Sequence, residues 1–117
     1  VPTCWSLIDA QWVPAKNLLL ASGGIRNGAD VVRALALGAD AVGITGSVLR
    51  KIMEDGVNAA VDYLEAVAEE LRAYMLLTGC TIRQLRKVPL IINGETLNFV
   101  NCRGYDLPVL CRERRTN

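Results

Sequence analysis

Two short stretches hold the residue types suited to anion chemistry. Ser22-Gly23-Gly24-Ile25-Arg26-Asn27 lies between an apolar run and an amphipathic one, and Thr45-Gly46 holds the same place one unit later. A turn that hands a strand over to a helix leaves successive backbone N–H groups without intrahelical partners. Phosphate binds there because the amides donate to it and the helix end carries partial positive charge. Glycine removes the side chain that would keep an anion at a distance, and Arg26 adds a charge-assisted donor. An anion is therefore expected at the turn from Gly23 to Arg26, together with Thr45 and Gly46. The plain alternative is a pair of ordinary loops that hold nothing.

Other chemistry is scarce. The chain has no histidine, which removes the commonest general acid/base and the commonest metal ligand. The four cysteines, Cys4, Cys80, Cys102 and Cys111, are scattered with no Cys-x-x-Cys pair. They read as bystander thiols in a reducing cytoplasm rather than as a disulfide or zinc framework. Glu65 and Glu69 belong to the charged side of a long helix and are not metal or catalytic candidates. No residue of the chain is expected to be catalytic, and none to bind a metal.

The elements that position the two turns follow from periodicity. The segment from Pro2 to Ala15 reads as a short helix and a loop that stops at Pro14. Asn17–Ser22 is an apolar run ending at Gly23-Gly24, which fits a strand covered on both faces. Asn27 caps a helix with Asp30 in its first turn and Val31, Val32, Leu35 and Ala36 on its apolar face, and Gly38 stops it. Asp40–Ile44 repeats the strand, and Ser47 to Met53 a short helix. Val57 to Thr78 is the clearest helix, with Val57, Val61, Leu64, Ala68, Leu71, Met75 and Thr78 as its expected packing stripe and Gly79 as its stop. Beyond it, Thr81–Lys87 predicts one or two helical turns before Pro89, Leu90–Thr96 a β-like stretch with a turn, and Arg112–Asn117 a frayed charged tail.

Strand, glycine turn, helix, repeated, is the pattern of a parallel sheet. In eight-stranded (β/α)8 TIM barrels the phosphate site is often built by the loops after strands seven and eight and a short extra helix. A whole barrel takes about 250 residues, and this α/β chain of 117 shows two strand–helix units and a tail. The expected architecture is thus the last quarter of a TIM barrel. The chain opens Val1-Pro2-Thr3 with no initiator methionine, and the remaining strands are expected upstream of Val1.

Ala21-Ser22-Gly23-Gly24-Ile25-Arg26-Asn27-Gly28-Ala29-Asp30, continuing through Ala34-Leu35-Ala36-Leu37-Gly38-Ala39, resembles the phosphate-binding segment of FMN-dependent barrels. That stretch is similar to 2-hydroxy-acid oxidases and, more loosely, to inosine-monophosphate dehydrogenases. The rest of the chain resembles the ending of type 2 isopentenyl-diphosphate isomerases. Val1-Pro2-Thr3 is similar to the segment after their strand six, and Leu71–Cys80 to both isomerases and oxidases. Leu85–Thr96 and Asn101-Cys102-Arg103-Gly104 resemble the isomerases specifically. Oxidases carry Gly-Arg-Pro where this chain has Thr45-Gly46-Ser47, and isomerases have Ala-Gly, so the threonine is a mild departure.

The resemblance covers essentially residues 1–117 and implies the carboxy-terminal portion of one FMN-binding barrel. It implies an isomerase that interconverts isopentenyl and dimethylallyl diphosphate in isoprenoid biosynthesis, with reduced FMN as an acid/base participant. Mg2+ on the substrate diphosphate and NADPH to keep the flavin reduced are implied in the same way. The FMN phosphate would meet the backbone at Gly24, Ile25 and Arg26, with Gly23 lining the turn, and at Thr45 and Gly46. The family's magnesium glutamate and substrate histidines would lie upstream. Implied partners are that upstream part of the enzyme, a small diphosphate substrate, and further copies in a tetramer or octamer. The alternatives are an FMN-dependent hydroxy-acid oxidase and an inactive barrel fragment.

Composition sets the outer limits. About half of the chain is hydrophobic (51%) and 21% is charged, the balance of a folded soluble domain. A formal net charge of +1 gives no general electrostatic reason to expect nucleic acid or an anionic membrane. No apolar run approaches the ~18 residues that would span a bilayer.

Overall fold

The computed structural model describes residues 2–14 and 17–112. Helix α1 (Thr3–Ala10) precedes strand β1 (Leu20–Ser22), helix α2 (Gly28–Ala36), strand β2 (Ala41–Gly43), helix α3 (Gly46–Asp55) and the long helix α4 (Val57–Thr78). A 3-10 turn (Arg83–Lys87) and helices α5 (Gly94–Arg103) and α6 (Leu107–Arg112) complete the order. The two strands pair in parallel, with Leu20 opposite Ala41 and Ser22 opposite Gly43. This is a mixed α/β chain with βα units in succession.

Local chemistry sets the helix ends. Asn27 caps α2 by accepting from the Asp30 N–H at 2.9 Å, as its sequence position predicts. Helix α4 runs from Val57 to Thr78 as read from the sequence. It stops because Gly79 adopts φ +66°, a left-handed conformation that suits glycine. The Cys80 N–H then reaches back to the Met75 carbonyl at 3.1 Å.

Two apolar clusters meet at α1. Leu7 joins Ala21, Ile25, Val31, Leu35, Val67 and Leu85 in the larger one. Its neighbour Ile8 packs with Val100 and Leu110 in the smaller. Successive residues of one helix thus face the βα layer on one side and the carboxy-terminal helices on the other. Trp5 stacks on Phe99 with ring centroids 4.7 Å apart, and Trp12 on Tyr105 at 3.9 Å.

Several expectations need correction. The strands are shorter than Asn17–Ser22 and Asp40–Ile44, because the Asp40 carboxylate takes the Leu19 N–H at 2.7 Å where a ladder bond would otherwise begin. They are also not covered on both faces: Ala21 is buried, but Leu18 and Leu20 are exposed. Leu90–Thr96 contains no strand. Gly94-Glu95-Thr96 opens α5 instead, and the Leu90 N–H is taken by the Cys111 carbonyl of α6 at 3.1 Å. Helix α3 is longer than Ser47–Met53 and buries none of its residues. The packed face of α4 matches the expected stripe only in part. Ala60 and Val67 are buried, and Leu71 and Met75 of the expected stripe pack against the larger cluster, whereas its first members Val57, Val61 and Leu64 are exposed. Arg112 ends α6, and the rest of the expected tail, residues 113–117, lies outside the described residues, as do Val1, Ala15 and Lys16. No helix among the described residues is long and apolar enough to cross a membrane.

Candidate functional site

The two glycine turns line one cleft. Gly23, Gly24, Ile25 and Arg26 form one wall and Thr45 and Gly46 the other, around a volume of about 220 Å³. Parallel pairing explains the convergence, because adjacent parallel strands deliver their carboxyl ends to the same edge of the sheet. Ser22, Gly43, Ser47 and Arg50 complete the lining. Arg50 was not singled out by sequence reasoning. Its signal is helical spacing, since it stands four residues after Gly46 and so shares a helix face with it.

The first turn is held in shape by its neighbours. Gly23 and Gly24 have φ of +96° and +72°, a region that other residues avoid. Ile25 turns its side chain into the core, where it is 8% exposed, so only its backbone remains at the cleft. The Arg26 carbonyl accepts from the Tyr63 hydroxyl of α4. From α1, the Thr3 hydroxyl lies 3.0 Å from the Ser22 carbonyl and 2.6 Å from that of Gly23.

The two helix starts differ in what they leave open, and this corrects one expectation. Three amides at the amino end of α2 are taken by carboxylate or amide side chains of the protein itself, while those of Asn27 and Ala29 have no acceptor among the described residues. Asp30 accepts the Arg26 N–H at 3.0 Å, Glu70 accepts that of Gly28 at 2.9 Å, and Asn27 accepts that of Asp30. The Arg26 amide, expected to face an anion, is therefore engaged by a carboxylate. The start of α3 has no side-chain cap. Its first intrahelical bond is from the Leu49 N–H to the Thr45 carbonyl at 2.9 Å, so the Gly46, Ser47 and Val48 amides precede the ladder. Among the described residues the Gly24 and Ile25 amides also have no protein acceptor. Arg26 and Arg50 enter no ion pair with the described residues. The arrangement offers an anion backbone donors from two directions and two guanidinium groups.

A larger cavity of about 400 Å³ lies away from these turns, between α1, α2 and the segment from Leu85 to Thr96. Its lining is mainly aliphatic and Arg33 is its only charged residue, so it lacks the converging donors of the smaller cleft. Glu65 and Glu69 are exposed, Glu69 paired with Arg72. The described residues bring no three His, Cys, Asp or Glu side chains together as a metal site.

The family model described as FMN-dependent dehydrogenase matches residues 8–90. The isopentenyl-diphosphate delta-isomerase of Methanopyrus kandleri is 37% identical over 119 aligned positions, covering 99% of this chain and 33% of that protein. The protein of the same name from Listeria welshimeri is 40% identical, covering 97% of this chain and 32% of its own length. That from Geobacillus is 38% identical, covering 96% and 33%. The chain spans about a third of the length of these curated relatives. With both glycine turns and the helices they open inside the matched residues, the chain belongs to the FMN-dependent dehydrogenase family.

Proposed function

We propose that this chain is the carboxy-terminal, phosphate-holding quarter of a TIM-barrel enzyme of the type 2 class, which interconverts isopentenyl and dimethylallyl diphosphate with FMN. The observation that carries the reading is the single cleft in which the Gly23-Gly24 turn faces the uncapped start of α3. The residues fit an FMN phosphate. The Gly24, Ile25, Gly46 and Ser47 amides would donate to its oxygens, and Arg26 and Arg50 would offset its charge. A Cβ on Gly24 or Gly46 would meet no protein atom within 4 Å, so the space beside both is open to a ligand. Bound and reduced, FMN would supply acid/base chemistry at its ring; this chain's part is to hold the phosphate end and so fix the ring's distance from substrate.

The isomerase reading over a hydroxy-acid oxidase is supported by the names of the relatives and by Thr45-Gly46-Ser47, where oxidases carry Gly-Arg-Pro. Magnesium would be held by the upstream part of the enzyme, as the resemblance implies. NADPH, the diphosphate substrate and the remaining barrel strands belong to the same proposal, as do a cytoplasmic setting and assembly into tetramers or octamers.

The test is twofold. The intact native protein, supplied with FMN, NADPH and Mg2+, should convert isopentenyl diphosphate to dimethylallyl diphosphate. Oxidation of a 2-hydroxy acid instead would establish the oxidase. Gly46→Val should then lower flavin retention at least tenfold. Its backbone is not in the left-handed region and its surroundings are open, so the loss would report the ligand and not the fold. Undiminished flavin content would remove the phosphate from this cleft.

A further inference from the structure

The Thr3 hydroxyl sits at the start of α1, outside the cleft lining, yet it reaches two carbonyls of the first turn. It lies 2.6 Å from the Gly23 oxygen and 3.0 Å from that of Ser22. One hydroxyl has one proton to give, so the two oxygens share it. The consequence follows from peptide geometry. In a trans peptide, which holds here because the chain has no cis bond among the described residues, the C=O of one residue and the N–H of the next point in opposite directions. Holding the Gly23 carbonyl toward α1 therefore turns the Gly24 N–H away from α1, toward the cleft. Holding the Ser22 carbonyl turns the Gly23 N–H toward β2 in the same way.

Such a hold is needed at this place. Glycine crosses between positive and negative φ at little steric cost, so two successive glycines leave the intervening peptide free to flip. A flip would present a carbonyl oxygen to the anion in place of a donor. We propose that Thr3 is a positioning residue for the phosphate turn: its hydroxyl fixes the orientation of the Ser22–Gly23 and Gly23–Gly24 peptides, keeping the Gly23 N–H toward β2 and the Gly24 N–H toward the cleft. This rests on the phosphate reading above. Thr3 also bounds the turn sterically, since a Cβ on Gly23 would stand 3.1 Å from its oxygen.

The experiment compares FMN with riboflavin, which lacks the phosphate, on the intact native protein. Thr3→Val keeps the β-branched shape and removes the donor. It should weaken FMN roughly three- to tenfold, the weight of one hydrogen bond or a little more, and leave riboflavin within about twofold. Thr3→Ser should restore the FMN affinity. The ratio of the two dissociation constants is insensitive to partial unfolding, because both flavins bind the same folded population, so a Thr3→Val protein of lowered stability still gives an answer. A Thr3→Val ratio equal to that of the native protein, with Gly46→Val lowering FMN selectively, would overturn the role of Thr3 and leave the phosphate site standing. Unchanged ratios in both variants would remove the phosphate from this turn, and the role of Thr3 with it.

Discussion

Gly28 has no room for a side chain. A Cβ there would lie 2.8 Å from the Leu71 N and 2.9 Å from the Glu70 carbonyl carbon, both backbone atoms that a rotamer change cannot move. The same contact brings the Glu70 carboxylate onto the Gly28 N–H, so α4 both packs on α2 and caps it. Gly28→Ala should therefore cost about 1–3 kcal/mol through overpacking, seen as a lower urea midpoint. An unchanged midpoint would show that the two helices separate without strain. The candidate anion residues could be named from the sequence because glycine turns recur at two successive strand ends. The state of each amide could not. That Asp30 takes the Arg26 N–H, while α3 starts without a cap, depends on where side chains from other turns arrive.

At the scale of elements, the 3-10 turn Arg83–Lys87 is fastened to the starts of both strands by one side chain. Arg86 pairs with Asp40 and donates to the Ala39 carbonyl at 3.3 Å, while Asp40 also accepts the Leu19 N–H. Both charged side chains are 13% exposed, so removing Arg86 leaves the Asp40 carboxylate buried without that countercharge. Arg86→Ala should cost about 3–5 kcal/mol, in a denaturation midpoint that salt alters little. A change of less than about 1 kcal/mol would place the pair with surface ion pairs. On the far side of α1, Arg103 donates to Asp9 at 3.1 Å. Its guanidinium is held above the ordinary arginine range, first by its hydrogen bond to Tyr105 and then by Asp9. Helix α4 was readable to its ends because Gly56 and Gly79 bracket one continuous amphipathic run. Leu90–Ile92 misled because a short apolar run is compatible with strand or loop until a neighbour either pairs with it or does not.

The molecule as a whole is loose for its length. Its radius of gyration is 15.2 Å, where a compact domain of this size would have about 13 Å. The sheet has only the two strands β1 and β2 among the described residues, and a parallel pair is rarely left so bare. Leu49, Ile52 and Met53 of α3 and Val57, Val61 and Leu64 of α4 are all exposed. These 117 residues purified alone should accordingly self-associate or unfold without cooperativity, and should turn over neither isopentenyl diphosphate nor a hydroxy acid. Light scattering and chemical denaturation check the first point. A monomer with a single sharp transition would refute the quarter-barrel reading and favour a self-sufficient small domain.

Sequence alone determined the order of the βα units, the caps at Asn27 and Gly79 and the two turns where an anion would be met. These depend on neighbours within a few residues, and the backbone's preference for φ and for periodic burial is written at that range. Tertiary structure decided which face of α4 is buried, how far the strands extend, and that Thr3, nearly twenty positions before Ser22, holds the glycine turn. Those outcomes depend on which side chains arrive from distant segments. Thr3 met the turn because α1 packs across β1 with Leu7 against Ala21, and no spacing along the chain encodes that approach.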